Sequence, residues 1–311
     1  MAETFNPDAE AFRVRTIAFL GLGIMGSRMA ARLVHAGFGV RGWNRTPGRF
    51  EALRTLGVVM VDSPAEAAAG ADVAITMLGD PASVRDVAQG AGGLIDALAP
   101  GSIYVDMTTV DPATSRGLDC ACRARGVAFV DAPVTGSKSA AASGELVLMV
   151  GGDAESVTRL APVFAPIAKR VVPMGPVGCG STMKLVNNLA IAGSMVALFE
   201  ALTLGRRAGL NDQAMLDVLT SSALASPLLA LKGDAVRRRD FEPHFAFKHM
   251  AKDIRLARAE SIGLNAPHVV SDLLDVLFSA GLDHGLGEED FAALVKVVEG
   301  LVERQGLPAH G

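Results

Sequence analysis

The sequence predicts an α/β domain of the doubly wound type followed by an all-α domain, with one long helix joining the two. Three observations carry that prediction. Short apolar runs alternate with segments of helical length as far as Pro173. A glycine-rich turn, Gly21-Leu22-Gly23-Ile24-Met25-Gly26, falls between the first apolar run and the first helical pattern. From Thr182 onward the spacing is helical throughout, with no convincing strand. Strands alternating with helices form a mostly parallel sheet, because each crossover lays a helix against one face of it.

Taken in order, residues 15–20 are an apolar run ending in glycine, which reads as a buried parallel strand. The helical pattern after the glycine turn passes through Met29, Leu33 and Val34 and stops at Gly37. Further strands are expected at residues 40–44, 57–61, 73–78, 103–107, 127–130, 146–150 and 171–173, with a helix ending at Leu56 between the first two of these. Helices are expected at 182–208, 212–222, 228–238, 247–262, 266–280 and 289–305. Gly209, Gly263 and Gly281 fall where C-terminal caps belong, and Asp212, Glu288, Glu289 and Asp290 where helices begin. The domain boundaries that follow are a disordered lead-in at 1–14, a first domain at 15–177 and a helical domain at 178–311.

The totals remove several classes of function. A chain of 311 residues, half of them hydrophobic, can fill two domain cores. A net charge of −4 offers no field for nucleic acid, and the one basic cluster, Arg237, Arg238 and Arg239, is closed by Asp240. Cys120, Cys122 and Cys179 have no metal-ligand spacing and read as reduced thiols of a cytoplasmic protein. His35, His244, His249, His268 and His284 are scattered without a carboxylate cluster, so no metal is expected. The first fifteen residues lack the charged start and apolar run of a signal peptide. The apolar helix from residue 182 carries Asn187, Asn188, Ser194 and Glu200, which marks a core helix and not a membrane span.

The chemistry-bearing residues fall in three places. In the glycine turn, Gly21 permits the tight bend, Gly23 lets backbone approach a pyrophosphate and Gly26 allows close packing; the helix start then offers free N–H groups to the anion. Leu22, Ile24 and Met25 complete that loop, and a dinucleotide is the expected ligand of residues 15–177. At the end of the second strand an NAD site usually places a carboxylate on the ribose; here stand Asn44, Arg45 and Thr46. Arg45 can pair with a 2′-phosphate while Asn44 and Thr46 add neutral hydrogen bonds, which predicts NADP (as NADPH); a solvated loop arginine is the plainer alternative. Asp131-Ala132-Pro133-Val134-Thr135-Gly136-Ser137 follows a strand, where ligands of open α/β sheets bind. Its Thr135 hydroxyl and Gly136 backbone suit a carboxylate, although ordinary turn chemistry accounts for such a loop equally well. Lys184 and Asn188, four apart, project from one helical face and offer a cation and an amide for proton chemistry; a snorkelling lysine beside an interface amide is the alternative.

In order, Gly-Leu-Gly-Ile-Met-Gly at 21–26, Asp-Ala-Pro-Val-Thr-Gly-Ser at 131–137, Gly-x-x-x-Lys-Leu-x-Asn-Asn at 180–188 and Lys-Asp at 252–253 resemble the β-hydroxyacid dehydrogenase family, of 3-hydroxyisobutyrate dehydrogenase type. The resemblance covers residues 15–303, and Asn44, Arg45 and Thr46 with Gly136, Ser137 and Lys138 are most similar to its NADPH-dependent glyoxylate/succinic semialdehyde reductase branch. It implies a Rossmann domain and an all-helical second domain like the C-terminal domain of 6-phosphogluconate dehydrogenase, serving substrate and oligomerisation. It implies Lys184 as the catalytic lysine with Asn188 as its amide partner, and Thr135, Gly136, Ser137, Phe245 and Asp253 at the substrate. Met77, Leu78, Thr109 and Lys252 would join the glycine turn and residues 44–46 at the cofactor. Many members have serine where Thr135 stands and glycine where Ser137 stands, which leaves the acid recognised open.

The expected activity is reduction of a small aldehyde acid, such as glyoxylate or succinic semialdehyde, to a hydroxy acid, with Lys184 as general acid. An imine reductase or reductive aminase is the rival in chemistry, opposed by the lysine where such enzymes usually carry aspartate or tyrosine. A non-catalytic dinucleotide-binding module is the rival in class, opposed by the joint presence of Lys184, Asn188 and Thr135. A homo-oligomer, dimer or tetramer, is expected, with no nucleic acid or membrane partner.

Overall fold

The computed structural model describes residues 14–46 and 50–304; the lead-in expected before residue 14 and the helix end expected at residue 305 lie outside them. The described chain divides into two compact units between Ser181 and Thr182.

The first unit is built on β1 (Thr16–Leu20), β2 (Gly39–Trp43), β3 (Val59–Met60), β4 (Val73–Thr76), β5 (Ile103–Asp106), β6 (Ala128–Asp131), β7 (Val134–Thr135), β8 (Leu146–Gly151) and β9 (Ala168–Gly175). They lie in the order β3-β2-β1-β4-β5-β6-β8-β7, with β9 beside β8. From β3 to β6 every pairing is parallel; β8 runs antiparallel to β6 and β7. Alternate residues of β1 serve opposite faces: Ile17 and Phe19 join one core with Met29, Leu33 and Val150, while Ala18 and Leu20 join another with Val84, Tyr104 and Phe129. A sheet buried on both faces is why these strands read as unbroken apolar runs. The strand order reverses between β1 and β4, and ligands of such sheets bind at the carboxyl ends of the strands flanking that reversal.

The second unit is helical. Its long helix, Cys179–Arg207, opens three residues earlier than its spacing suggested, so its first turn belongs to the first unit. By length and composition alone this helix could cross a membrane. Ala192, Met195, Phe199 and Leu202 instead face a core that contains Phe247, Ile254, Leu274 and Phe278, as a core helix requires. The helices Asp212–Ser221, Pro227–Arg238, Phe247–Gly263, Val269–Asp283 and Leu294–Arg304 complete the unit.

Several local expectations change. Gly281 lies inside the helix Val269–Asp283, where a side chain would run into the Phe247 ring, so it is a packing glycine and not a cap. Gly263 ends its helix, and the left-handed residue beyond is Asn265, at φ 53°. The helix expected at 266–280 begins only at Val269, and the one expected at 289–305 opens as a short 3-10 turn capped by the Asp290 side chain. A single stretch of chain at 131–137 becomes a strand end, the two-residue strand β7 and a helix cap, because Val134 and Thr135 pair with Leu148 and Val147.

Candidate functional site

Around the glycine turn the backbone takes the expected form. Gly21 has φ 100°, and its N–H bonds the Trp43 carbonyl at 2.9 Å, tying the turn to the end of β2. A side chain at Gly21 would strike the Met77 carbonyl, and one at Gly26 would strike the Gly21 carbonyl and press on Phe19. A Cβ on Gly23 would meet nothing within 4 Å, so open space lies where the helix Ile24–His35 begins. Leu22 is buried in the core, Met25 packs against it, and Ile24 is exposed. An open, backbone-only helix start at the sheet's reversal point fits a dinucleotide pyrophosphate.

Asn44 is placed differently from a free phosphate ligand. Its Oδ1 accepts the Leu22 N–H at 3.0 Å and its Nδ2 donates to the Thr46 carbonyl at 3.1 Å, so the amide braces the turn. Arg45 and Thr46 beside it are exposed. At the end of β4, the Met77 N–H bonds the Leu20 carbonyl and the Leu78 N–H bonds Thr108 Oγ1, both at 2.9 Å. Thr109 follows, half-buried.

Within residues 131–137 the Ser137 hydroxyl and the Asp131 carboxylate are already employed. Ser137 Oγ caps the helix Lys138–Ser143 through the Ala140 N–H and lies 2.6 Å from Ser139 Oγ. Thr135 sits in β7, half-buried, and Gly136 turns at φ 140° against Leu146. Asp131 is fully buried, and its carboxylate accepts the N–H groups of Gly178 at 2.8 Å and Ser181 at 2.7 Å. It therefore caps the start of the long helix, a role its loop position did not announce. Gly180 has no room for a side chain beside the Met149 carbonyl and Asp131, which accounts for the glycine four residues before Lys184. Burial raises the Asp131 carboxyl above the ordinary range, against those two N–H bonds.

In the second unit the predicted residues form one cluster. Asn188 and Asp253, 2% and 1% exposed, are joined by a hydrogen bond of 2.6 Å from Nδ2 to Oδ2. Asn187 donates to Asn188 Oδ1 at 3.0 Å. Lys252 Nζ stands 3.0 Å from Asp253 Oδ1 as an ion pair. Removal from water lowers the Lys184 ammonium to about 8; Asp253 works against that and Lys252 adds to it. Asp253 thus stands behind Asn188 as its partner. Phe245 lies half-buried between His249, stacked at 6.2 Å, and the edge of Phe291. Burial lowers the His249 imidazole, helped by Lys252, which keeps it neutral.

A buried pair that the spacing did not reveal holds Phe245. Lys232 Nζ donates to Asp290 Oδ1 at 2.7 Å, both side chains 3% exposed. Asp290 Oδ2 takes the N–H groups of His244 at 2.9 Å and Phe245 at 3.1 Å. The signal available was weak, a lysine among apolar helix residues. Among the described residues no group of histidine, cysteine and carboxylate side chains could hold a metal ion.

Both parts of the chain match known families. Residues 16–175 match the NAD binding domain of 6-phosphogluconate dehydrogenase, and residues 178–298 match the family described as NAD-binding of NADP-dependent 3-hydroxyisobutyrate dehydrogenase. The chain is 37% identical to glyoxylate/succinic semialdehyde reductase 2 of Arabidopsis thaliana, over 93% of its own length and 81% of the relative's. It is 31% identical to an NAD-dependent L-serine dehydrogenase of Pseudomonas aeruginosa, over 92% of this chain and 98% of that one. The structure of Mycobacterium tuberculosis 3-hydroxyisobutyrate dehydrogenase with L-serine superposes with a TM-score of 0.83 at 31% identity, covering 92% of this chain and 99% of that chain.

Proposed function

Since the chain belongs to the 3-hydroxyisobutyrate dehydrogenase family of NAD(P)-dependent oxidoreductases acting on CH–OH groups, we propose that it is an NADPH-dependent reductase of small aldehyde acids, such as glyoxylate or succinic semialdehyde, with Lys184 as general acid. The observation that carries this reading is the Lys184 ammonium, lowered to about 8 beside the Asn188–Asp253 pair. A group so placed is mostly protonated at neutral pH yet acidic enough to give its proton up. In this reading residues 15–177 bind the dinucleotide and residues 178–311 serve substrate and assembly.

NADPH, when bound, supplies the hydride. The glycine turn receives its pyrophosphate at the helix start, and Arg45 with Thr46 take the 2′-phosphate, for which the exposed guanidinium is suited. Thr135 and the Gly136 backbone hold the substrate carboxylate, with Ser137 shaping the loop through its cap. As the carbonyl carbon is reduced, Lys184 donates a proton from Nζ to the developing alkoxide oxygen and is left as the amine. Asp253 fixes the Asn188 amide, leaving Asn188 to orient the substrate oxygen. Phe245, held by Asp290, closes off water.

NADP rests on Arg45 and on the absence of a carboxylate at residues 44–46. The similarity to an NAD-dependent serine dehydrogenase is the reason to compare Michaelis constants for NADPH and NADH. The deciding experiment is an NADPH-oxidation screen with glyoxylate, succinic semialdehyde, tartronate semialdehyde, methylmalonate semialdehyde and a cyclic imine. Turnover of an aldehyde acid is expected to fall at least about a hundredfold in Lys184→Ala, with NADPH affinity near normal. Full turnover in that variant would sink Lys184 as the acid, and turnover of the imine alone would favour the rival chemistry.

We further propose a cytoplasmic homo-oligomer, dimer or tetramer. Val269, Val270, Leu273 and Val276 are between 51% and 79% exposed along one helix, a face suited to a second copy.

A further inference from the structure

Three polar side chains stand side by side at the carboxyl ends of adjacent strands: Thr76 of β4 opposite Asp106 of β5, and Asp106 opposite Asp131 of β6. Asp131 is spent on the long helix. Asp106, 1% exposed, has no part in the chemistry above. Its Oδ1 accepts the Thr76 hydroxyl at 2.7 Å and the Thr108 N–H at 3.0 Å. Thr76 Oγ1 also lies 2.9 Å from the Tyr104 hydroxyl. Thr76 has one hydrogen and gives it to Asp106, so Tyr104 must be the donor to Thr76. Thr108 in turn uses its hydroxyl to accept the Leu78 N–H at 2.9 Å. The Met77 carbonyl meanwhile sits against Gly21 so closely that no side chain fits there. One carboxylate oxygen thus ties the segment after β5 to the segment after β4, which touches the glycine turn.

The environment is a costly one for a charge. The groups facing Asp106 are Thr76 from β4, Tyr104 from β5, Thr108 from the following segment and Asp131 from β6, with Cys122 of the helix Pro112–Arg123 behind Tyr104. Burial keeps Tyr104 and Cys122 neutral, so the remaining charge among them is negative. Asp106 Oδ2 is buried with no hydrogen-bond partner. Burial, with a smaller push from Asp131, raises the Asp106 carboxyl to about 6 against the Thr108 hydroxyl, the Thr76 hydroxyl and the Thr108 N–H. A buried, half-satisfied carboxylate that a neutral side chain could replace points to a use other than packing.

We propose that Asp106 is a positioning residue for dinucleotide binding: as a carboxylate it holds the segments after β4 and β5 in the form that receives the cofactor, and its protonation slackens them. This rests on the dinucleotide reading above. A charged acceptor binds its donors about twice as strongly as a neutral one. Protonation would remove the charge that strengthens the bonds from the Thr76 hydroxyl and the Thr108 N–H to Oδ1.

The test is fluorescence titration of the full chain with NADPH and with NADH from about pH 5 to about pH 8, beside Asp106→Asn, Thr76→Val and Thr76→Ser. The wild-type Kd should rise about tenfold as pH falls through about 6. Asp106→Asn should bind about tenfold more weakly at neutral pH with a flat pH profile. Thr76→Val should follow it, and Thr76→Ser should restore wild-type behaviour. Melting temperatures at neutral pH should change little in Asp106→Asn, since the ionisation cost removed is offset by the buried amide N–H introduced. A flat wild-type profile, an unchanged Kd in Asp106→Asn, or weaker binding that merely tracks a lower melting temperature would each overturn the proposal. If the wild type binds neither dinucleotide at any pH, the cofactor reading fails and this proposal falls with it.

Discussion

At the scale of single residues, environment and not identity decides what each ionisable group can do. Lys184 and Lys232 are both helical lysines, the first half-buried and the second buried. Lys232 is locked to Asp290 at 2.7 Å and is structural. Lys184, one turn before an asparagine that Asp253 already occupies, keeps a lowered ammonium at about 8. If it is the acid of the reductive step, that step needs the protonated form. The reductive kcat should therefore fall as pH rises through about 8, while the reverse oxidation, which needs the free amine, should rise over the same range. Steady-state rates in both directions with saturating cofactor check this; parallel profiles would assign the titration to another group. Asp131 was legible as an acid following an apolar run, but what it binds was not, and Asp106 lay unmarked inside an expected strand. A cap that joins residue 131 to residues 178 and 181 depends on pairings that no local pattern encodes.

At the scale of elements, packing explains where spacing misled. Gly281 stood where a cap belongs because it follows the helix expected at 266–280, yet the helix continues past it and the Phe247 ring fills the space a side chain would need. Phe247 also lies 4.8 Å from Phe278, so a second ring packs on it. Gly281→Ala should lower the unfolding free energy by about 1 to 3 kcal/mol. Chemical denaturation reads this; an unchanged midpoint would mean that the ring yields freely. The parallel strands and long helices were legible because sustained apolar runs and 3.6-residue spacing are local signals. The two-residue β7 was not, since only Leu148 and Val147 across the ladder make Val134 and Thr135 a strand. The glycine turn was legible in full because each glycine answers a local demand, bend, opening or contact. The brace made by Asn44 was not legible because its donor, the Leu22 N–H, is twenty-two residues away.

At the scale of the molecule, two units with separate cores share one continuous helix. The second unit leaves Val269, Leu273 and Val276 in water, and burying that face against a second copy would recover apolar area. Light scattering of the wild type should give a dimer or larger, and Leu273→Glu with Val276→Glu should reduce it to a monomer that keeps its helical circular dichroism. A monomeric wild type at working concentration refutes the assembly. The chain's single tryptophan, Trp43, ends β2, and its carbonyl takes the N–H of Gly21. Its emission is therefore a private optical channel of the first unit: binding of a reduced dinucleotide there would quench it by energy transfer, while the far-ultraviolet signal is dominated by helices. Unfolding curves recorded in the two colours would tell whether the two units melt together or in turn.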